Sequence, residues 1–234
     1  MKNFVFDLYG TLVDIRTDEH SQSFKNKYLK HIKNFGADGT FFEKFFEILS
    51  AFSGFDEPDI LQVIQGAVTA SGGSITDSEA EEAALNFRKF STHKLKLYSG
   101  VKRLLKGLKR SGAKVYLLSN AQAAFTVYEL KKLGIYGCFD GIELSSDFGK
   151  KKPSPEFFAY LIDKYSLNIG ETVFTGNDLA CDIIPSREAG MYTVYVKTAI
   201  SPADDNLLKA TNIADFATDS TSTAYRHLIA LASS

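Results

Sequence analysis

Strands and helices alternate along the second half of the sequence, and this alternation constrains the fold more than any other feature. From Tyr98 onward, short apolar runs at residues 114–118, 173–175 and 192–196 are separated by helical segments, two of which end at a glycine. Alternation at this spacing is typical of a parallel sheet whose two faces are covered by helices. We therefore predict an α/β fold with a Rossmann-like parallel sheet, to which residues 214–232 add a further strand and helix.

Residues 15–97 show a helical pattern instead. Apolar residues recur at helical spacing, as at Phe24, Tyr28 and Ile32, and strand signals are scarce. We predict two domains: a Rossmann-like core formed by residues 1–14 and 98–234, and an inserted all-helical cap domain over residues 15–97. The phenylalanines of residues 41–49 are expected to fill the cap interior, but a dimer contact stays possible, so the oligomeric state (monomer or homodimer) is left open.

The first predicted strand ends in an acid. The apolar residues 4–6 lead into Asp7, and Gly10 and Thr11 then turn the chain. Open α/β sheets bind ligands in the crevice at the carboxyl ends of their strands, where Asp7 would lie. A carboxylate at that position serves as a nucleophile, a metal ligand or both. The alternative is that Asp7 only caps a turn.

Three later segments place polar groups at the same edge of the predicted sheet. They supply a hydroxyl and an amide before a helix start, a cation, and oxygen donors of the kind that Mg²⁺ prefers. Each segment alone is also explained by a helix cap, a solvated loop or a turn. The residues are Ser119 and Asn120, Lys152, and Asn177, Asp178 and Asp182.

The composition argues against several classes of partner. The formal net charge is −1, which gives no indication of a nucleic-acid partner. No apolar run approaches the ~20 residues that a membrane span requires. The two cysteines, Cys138 and Cys181, form no zinc-binding pattern and fit a reducing compartment. We therefore expect a cytoplasmic protein that acts on a small molecule, away from membranes.

Taken in order, the four segments resemble the four motifs of the haloacid dehalogenase (HAD) superfamily. The resemblance extends over nearly the whole chain, and the helical insertion after the first motif is similar to the family's C1-type cap. The counterparts in this sequence are Asp7-Leu8-Tyr9-Gly10-Thr11, then Leu118-Ser119-Asn120, then Lys152-Pro153, then Gly176-Asn177-Asp178 with Asp182.

This resemblance implies a two-step hydrolysis. Asp7 would attack the substrate and form a covalent aspartyl intermediate, which water then hydrolyses. Ser119 would hydrogen-bond the transferring group, and Lys152 would neutralise its charge and that of Asp7. The substrate-binding residues that the motifs imply are Tyr9, Gly10, Thr11 and Asn120. The implied Mg²⁺ ligands are Asp7, the main-chain carbonyl of Tyr9, and a side chain among Asn177, Asp178 and Asp182.

Two departures from the phosphatase pattern keep three functions open. Phosphatases of the family usually carry a second Asp where this chain has Tyr9, and Asn177 replaces an acid of the fourth motif. The favoured hypothesis is a Mg²⁺-dependent phosphatase of a small phosphorylated metabolite that works through an aspartyl-phosphate. An Asp-x-Tyr first motif is also found in 2-haloacid dehalogenases, but their cap arginine is replaced here by Asp38. The third hypothesis is a catalytically weak binding protein that retains the HAD fold.

Overall fold

The computed structural model describes residues 1–233 and is built around a parallel sheet. Six strands pair in the order β5-β4-β1-β6-β7-β8, all parallel, and β2 pairs with β3 in a separate antiparallel ribbon. The first strand, which carries the acid motif, therefore lies in the middle of the large sheet. The strands are β1 (Asn3–Phe6), β2 (Val13–Thr17), β3 (Thr92–Leu97), β4 (Lys114–Ser119), β5 (Gly141–Leu144), β6 (Thr172–Gly176), β7 (Tyr192–Val196) and β8 (Phe216–Thr218).

Helices cover both faces of the large sheet and fill the insertion between β2 and β3. Four lie in the insertion: α1 (Gln22–Ile32), α2 (Phe41–Ser50), α3 (Ile60–Ala70) and α4 (Asp77–Ser91). The others are α5 (Val101–Arg110), α6 (Ala123–Leu133), α7 (Ser145–Phe148), α8 (Pro155–Tyr165), α9 (Ile184–Glu188), α10 (Leu207–Ile213) and α11 (Thr221–Ser233). Every described helix is too short or too polar to traverse a lipid bilayer.

The central strand β1 is buried on both faces, as the predicted α/β architecture requires. Phe4 and Phe6 point into the apolar cluster formed with α5 and α11, whereas Val5 points into the cluster formed with α8. Successive side chains of a strand alternate between its faces, so an uninterrupted apolar run is what a doubly covered strand needs. The predicted fold class is thus confirmed.

The insertion has an apolar interior of its own. Aromatic rings from α1, α2 and α4 meet there, including Phe24, Tyr28, Phe41 and Phe87. The Phe stripe of α2 is accordingly divided: Phe41, Phe42 and Phe45 are buried, while Phe46 is partly exposed at the surface. Most of the stripe therefore packs inside the cap, and the division into two domains remains a prediction of the sequence.

The prediction that residues 15–97 are helical throughout is wrong at both ends. Strands β2 and β3 pair antiparallel there, with Val13 opposite Leu97. Their ladder joins residues about 80 positions apart, so no local pattern announces it, and the strands are half exposed and carry charged side chains. Lys94 and Lys96 pair across the ribbon with Asp14 at 2.6 and 3.8 Å.

Two short helical segments follow β6. A π-helical turn covers Leu179–Ile183, and α9 follows it directly. Asp178 caps the start of this turn: its side chain accepts hydrogen bonds from the backbone N–H groups of Ala180 and Cys181, both at 2.8 Å. Capping by a short acid of this kind is typical of helix starts.

Candidate active site

The predicted motif residues converge on Asp7 at the carboxyl edge of the sheet. Asp7 follows β1, Ser119 ends the neighbouring β4, and Lys152 lies in the loop that precedes α8. The Nζ of Lys152 lies 2.9 Å from Asp7 Oδ1, and the hydroxyl of Ser119 donates to the same oxygen at 3.3 Å. These groups line an open cleft of about 250 Å³, so a small ligand can reach the carboxylate.

Lys152 is buried among carboxylates. Its side chain is 1 % exposed, and its ammonium bridges Asp7 Oδ1 and, at 2.6 Å, Asp182 Oδ1. Burial alone would lower the pKa of Lys152, but Asp182 and Asp7 outweigh that effect and hold the pKa above its usual value. The ammonium therefore stays charged, as neutralising a bound anion requires.

The two lysines that directly precede Lys152 have a different environment. Lys150 and Lys151 are partly exposed, and their ammonium groups lie 3.7–4.0 Å from Asp56, Glu57 and Glu156. Of these three consecutive lysines, Lys152 is the one that contacts Asp7.

Asp182 organises the loop after β6. Its Oδ2 accepts hydrogen bonds from the backbone N–H groups of Asn177 and Asp178, both at 3.1 Å, while Oδ1 holds Lys152. Burial raises the pKa of Asp182, and the charge of Lys152 opposes that rise. A Cβ at Gly176 would lie 2.4 Å from Asp182 Oδ2, so only glycine lets this carboxylate approach the strand end.

Thr11 joins the first motif to the fourth. Its hydroxyl lies 3.1 Å from Asp7 Oδ2 and 3.2 Å from the side-chain oxygen of Asn177. Both oxygens therefore lie within hydrogen-bonding distance of the same hydroxyl. Gly10 makes this approach possible: it has φ +93°, and a Cβ there would lie 2.4 Å from Asn177. Thr11 and Gly10, predicted as substrate-binding residues, thus shape the cleft by positioning other side chains.

Asn120 holds the lysine loop. Its side-chain amide donates to the carbonyl oxygen of Lys152 at 2.9 Å and accepts from the Lys152 N–H at 2.7 Å. Both ends of the Asn120 amide are engaged in this pair. The residue lines the cleft, but its contacts identify it as the group that places Lys152, whereas the motifs implied a substrate-binding role.

The side chain of Tyr9 is anchored to α6. Its hydroxyl donates to Glu129 at 2.5 Å and lies 3.0 Å from the hydroxyl of Thr126, both on α6. Arg88, from the last helix of the insertion, pairs with Glu129 at 2.7 Å and stacks its guanidinium 5.1 Å from the Tyr9 ring. Burial and the charge of Glu129 raise the pKa of Tyr9 above its ordinary value, so the phenol stays neutral.

A family profile described as haloacid dehalogenase-like hydrolase matches residues 1–190. The chain belongs to the haloacid dehalogenase-like hydrolase family. The matched range contains every motif residue that the site brings together. The resemblance drawn from the four motifs is therefore confirmed at the level of the family.

Two curated relatives of this HAD-like hydrolase carry the names of phosphatases. A glyceraldehyde 3-phosphate phosphatase of Methanocaldococcus jannaschii is 34 % identical over 102 residues, which is 44 % of this chain and 45 % of that protein. A phosphoglycolate phosphatase of Vibrio vulnificus is 31 % identical over 114 residues, or 48 % of this chain and 50 % of that one. The chain thus spans about half the length of the curated relatives it matches.

A solved structure supports the fold along the whole chain. The HAD phosphatase from Thermococcus onnurineus superposes with a TM-score of 0.65, covering 97 % of this chain and 98 % of that one. The two sequences are 21 % identical, so this likeness concerns the fold alone.

The oxygen atoms near Asp7 suit a hard cation whose coordination shell is completed by ligands from outside the protein. Among residues 1–233, no three His, Cys, Asp or Glu side chains are grouped as a metal cage. Asp7, Asn177, Asp178 and Asp182 all line the cleft. Each of them also accepts hydrogen bonds from the protein, so these contacts do not single out one side chain of the fourth motif as the metal ligand. Mg²⁺ binds through one or two carboxylates, with waters and substrate phosphate filling the other positions, so this donor set fits it.

The Arg88–Glu129 pair was not identified from the sequence as part of the site. A signal was present: Thr126 and Glu129 lie three residues apart on α6, on the same face as the apolar Phe125 and Leu130. Polar residues on a buried helix face imply polar partners elsewhere in the fold. The sequence could not show that those partners are Arg88 and Tyr9.

Proposed function

We propose that this HAD-like hydrolase is a Mg²⁺-dependent phosphatase of a small phosphorylated metabolite, acting through an aspartyl-phosphate on Asp7. The observation that carries the proposal is the contact of Lys152 and Ser119 with one oxygen of Asp7, which leaves the cleft side of the carboxylate open. The phosphatase names of the relatives support it. Phosphoryl transfer depends on charge neutralisation and positioning, which this arrangement supplies.

The residues define the two steps. An Asp7 oxygen attacks phosphorus, the bond from phosphorus to Asp7 forms, and the bond to the leaving alcohol breaks. Water then attacks the phosphorus of the acyl phosphate, releasing phosphate and restoring the carboxylate. Lys152 and Ser119 hold the Asp7 side chain and the transferring group through both steps. Bound Mg²⁺, held by Asp7, the Tyr9 carbonyl and a side chain among Asn177, Asp178 and Asp182, would supply further positive charge for the phosphate oxygens.

The leaving alcohol must obtain its proton without help from Tyr9. The phenol is neutral and its proton is already donated to Glu129. The enzyme should therefore favour substrates whose leaving group needs no proton, such as p-nitrophenol, over alkyl phosphates.

We assign the insertion as a C1-type cap that contributes to substrate choice. A cavity of about 210 Å³ lies where the cap meets the core, and its walls are largely apolar. It offers space for the part of a substrate beyond its phosphate. The aromatic residues that line it are Phe45, Phe46, Phe87 and Phe125. We further propose a cytoplasmic location, with no nucleic-acid or membrane partner.

The test measures phosphate release from p-nitrophenyl phosphate with Mg²⁺ and with EDTA, beside halide release from 2-chloropropionate. The proposal expects phosphate release that requires Mg²⁺ and is abolished by Asp7→Asn. Asp204→Asn, which makes the same change at an exposed residue, serves as the control and should retain the wild-type rate.

Each alternative function predicts a different outcome. A 2-haloacid dehalogenase, which the Asp-x-Tyr motif and Asn177 favour, would release halide without a metal and leave the phosphate ester intact. A binding protein that retains the fold would release neither product. Phosphate release that survives Asp7→Asn would show that another residue is the nucleophile.

A further inference from the structure

A second cleft lies on the face of the core formed by α5 and α11. It encloses about 410 Å³ and has an apolar floor that includes Leu104, Tyr225 and Ile229. Its rim carries the hydroxyls of Ser99, Thr221 and Ser222 and three guanidinium groups, those of Arg103, Arg110 and Arg226. None of the motif residues around Asp7 lines this cleft.

Among residues 1–233, no carboxylate forms an ion pair with the guanidinium groups of Arg103, Arg110 or Arg226. Arg226 donates to the hydroxyl of Thr223, on its own helix, at 3.3 Å. Helix α5 carries five Lys or Arg residues and α11 carries one Arg, and neither contains Asp or Glu. This face is therefore basic although the whole chain has a formal net charge of −1.

We propose that this cleft binds a small polyanion, one with two or more phosphate or carboxylate groups. Three guanidiniums around one cavity provide paired N–H donors that match the oxygen geometry of such groups. The apolar floor would take the hydrophobic part of the same molecule. A concave site of this volume is of the size that holds small ligands, whereas nucleic acid is bound by an extended basic surface.

Tyr225 connects this cleft to the loop that follows β1 and contains Thr11. Tyr225 lines the cleft, and its hydroxyl donates to the carbonyl oxygen of Thr11 at 3.3 Å. Thr11 in turn holds Asp7 and Asn177 through its hydroxyl. The hydrogen bond from Tyr225 to Thr11 thus links the cleft to the candidate active site, although different residues line the two sites.

The experiment measures pyrophosphate binding to the full chain by isothermal titration calorimetry in EDTA. The test variant is Arg103→Gln/Arg226→Gln. The matched control is Lys30→Gln/Lys33→Gln, which removes the same charge at exposed residues of the insertion, outside the cleft and its basic face. Losing two charge-assisted contacts should weaken binding by about tenfold or more, while the control should stay within about twofold.

Two results would overturn the proposal. The first is wild-type protein that gives no binding heat with pyrophosphate. The second is equal affinity in the test and control variants, which would place the pyrophosphate at Asp7 or in a general counterion atmosphere. The binding measurement needs no catalysis, so its outcome is independent of the proposed phosphatase function. Circular dichroism of both variants shows that they remain folded.

Discussion

The sheet edge that carries Asp7 and Ser119, called the catalytic edge after the proposed function, and the seam between cap and core are built differently. At this edge, Asp7 and Ser119 lie at the carboxyl ends of two paired strands, β1 and β4, and β1 is also paired with β6. At the seam, Arg88 meets Glu129 across 41 residues and Gln122 meets Ile60 across 62. The pairing of neighbouring strands thus determines where Asp7 and Ser119 lie, whereas the contacts of the seam depend on how separate helices pack.

The seam nevertheless touches the catalytic loops. Gln122, two residues beyond Asn120, accepts from the Ile60 N–H at 2.9 Å and donates to Glu57 at 2.7 Å. Lys151, beside Lys152, donates its backbone N–H to the Phe55 carbonyl at 2.8 Å. The cap is therefore held against the same loops that position the proposed catalytic groups. Loosening the seam should affect catalysis less than removing a group that contacts Asp7.

The largest effect is expected from Lys152→Met, at the catalytic edge. The change leaves Asp7 and Asp182 buried together without their cation, and removing one partner of a buried ion pair costs about 3–5 kcal/mol. Urea unfolding should show this loss, with phosphatase activity lost as well. Lys151→Met, at a partly exposed neighbour, should stay within about 0.5 kcal/mol of wild type. Equal stability of the two variants would contradict the role given to Lys152.

Glu129→Gln tests the seam and should have the next largest effect. The variant removes the charge that pairs with the nearly buried Arg88 while keeping the size of the side chain. Charged hydrogen bonds of this kind contribute about 1.5–3 kcal/mol, so urea unfolding should show a loss in that range. Glu81→Gln, on the exposed face of α4, is the control. If Glu129→Gln abolished activity while leaving stability unchanged, Glu129 would belong to the catalytic machinery.

Tyr9→Phe tests whether the Tyr9 hydroxyl stabilises the fold through Glu129 or transfers a proton during catalysis. The loss of one hydroxyl that donates to Glu129 should cost about 1–2 kcal/mol of stability. The rate with p-nitrophenyl phosphate should stay within about threefold, since a general acid or base contributes about a hundredfold or more. The pH profile should keep its shape. A hundredfold fall in rate with unchanged stability would show that Tyr9 transfers a proton.

The smallest effect is expected from Asn177→Asp. The added charge beside Asp7 should lower the Mg²⁺ concentration needed for half-maximal activity by about threefold to tenfold, since ligand charge tunes affinity at such sites. A titration of the rate against Mg²⁺ measures this shift. Asn26→Asp, exposed on α1, is the control. An unchanged Mg²⁺ requirement would remove Asn177 from the proposed ligand set.

The sequence predicts the catalytic edge better than the seam, for physical reasons. Asp7 and Ser119 could be placed together because parallel strands bring their carboxyl ends to one edge. The β2–β3 ribbon was missed because its pairing is non-local and its strands are short and half exposed. The direction of Tyr9 was equally hidden, since it depends on Glu129 and Arg88, which only tertiary packing brings to it.

The proposed mechanism requires a transient phosphoryl group on Asp7, and peptide mass spectrometry tests this directly. The enzyme is mixed with Mg²⁺ and p-nitrophenyl phosphate, quenched in acid within the first turnovers, digested and mapped. The account predicts a peptide that contains Asp7 and carries one phosphoryl group, and this species is absent from Asp7→Asn. If the enzyme turned over while the phosphoryl group lay on another residue, or while no phosphorylated peptide was found, the proposed mechanism would be contradicted.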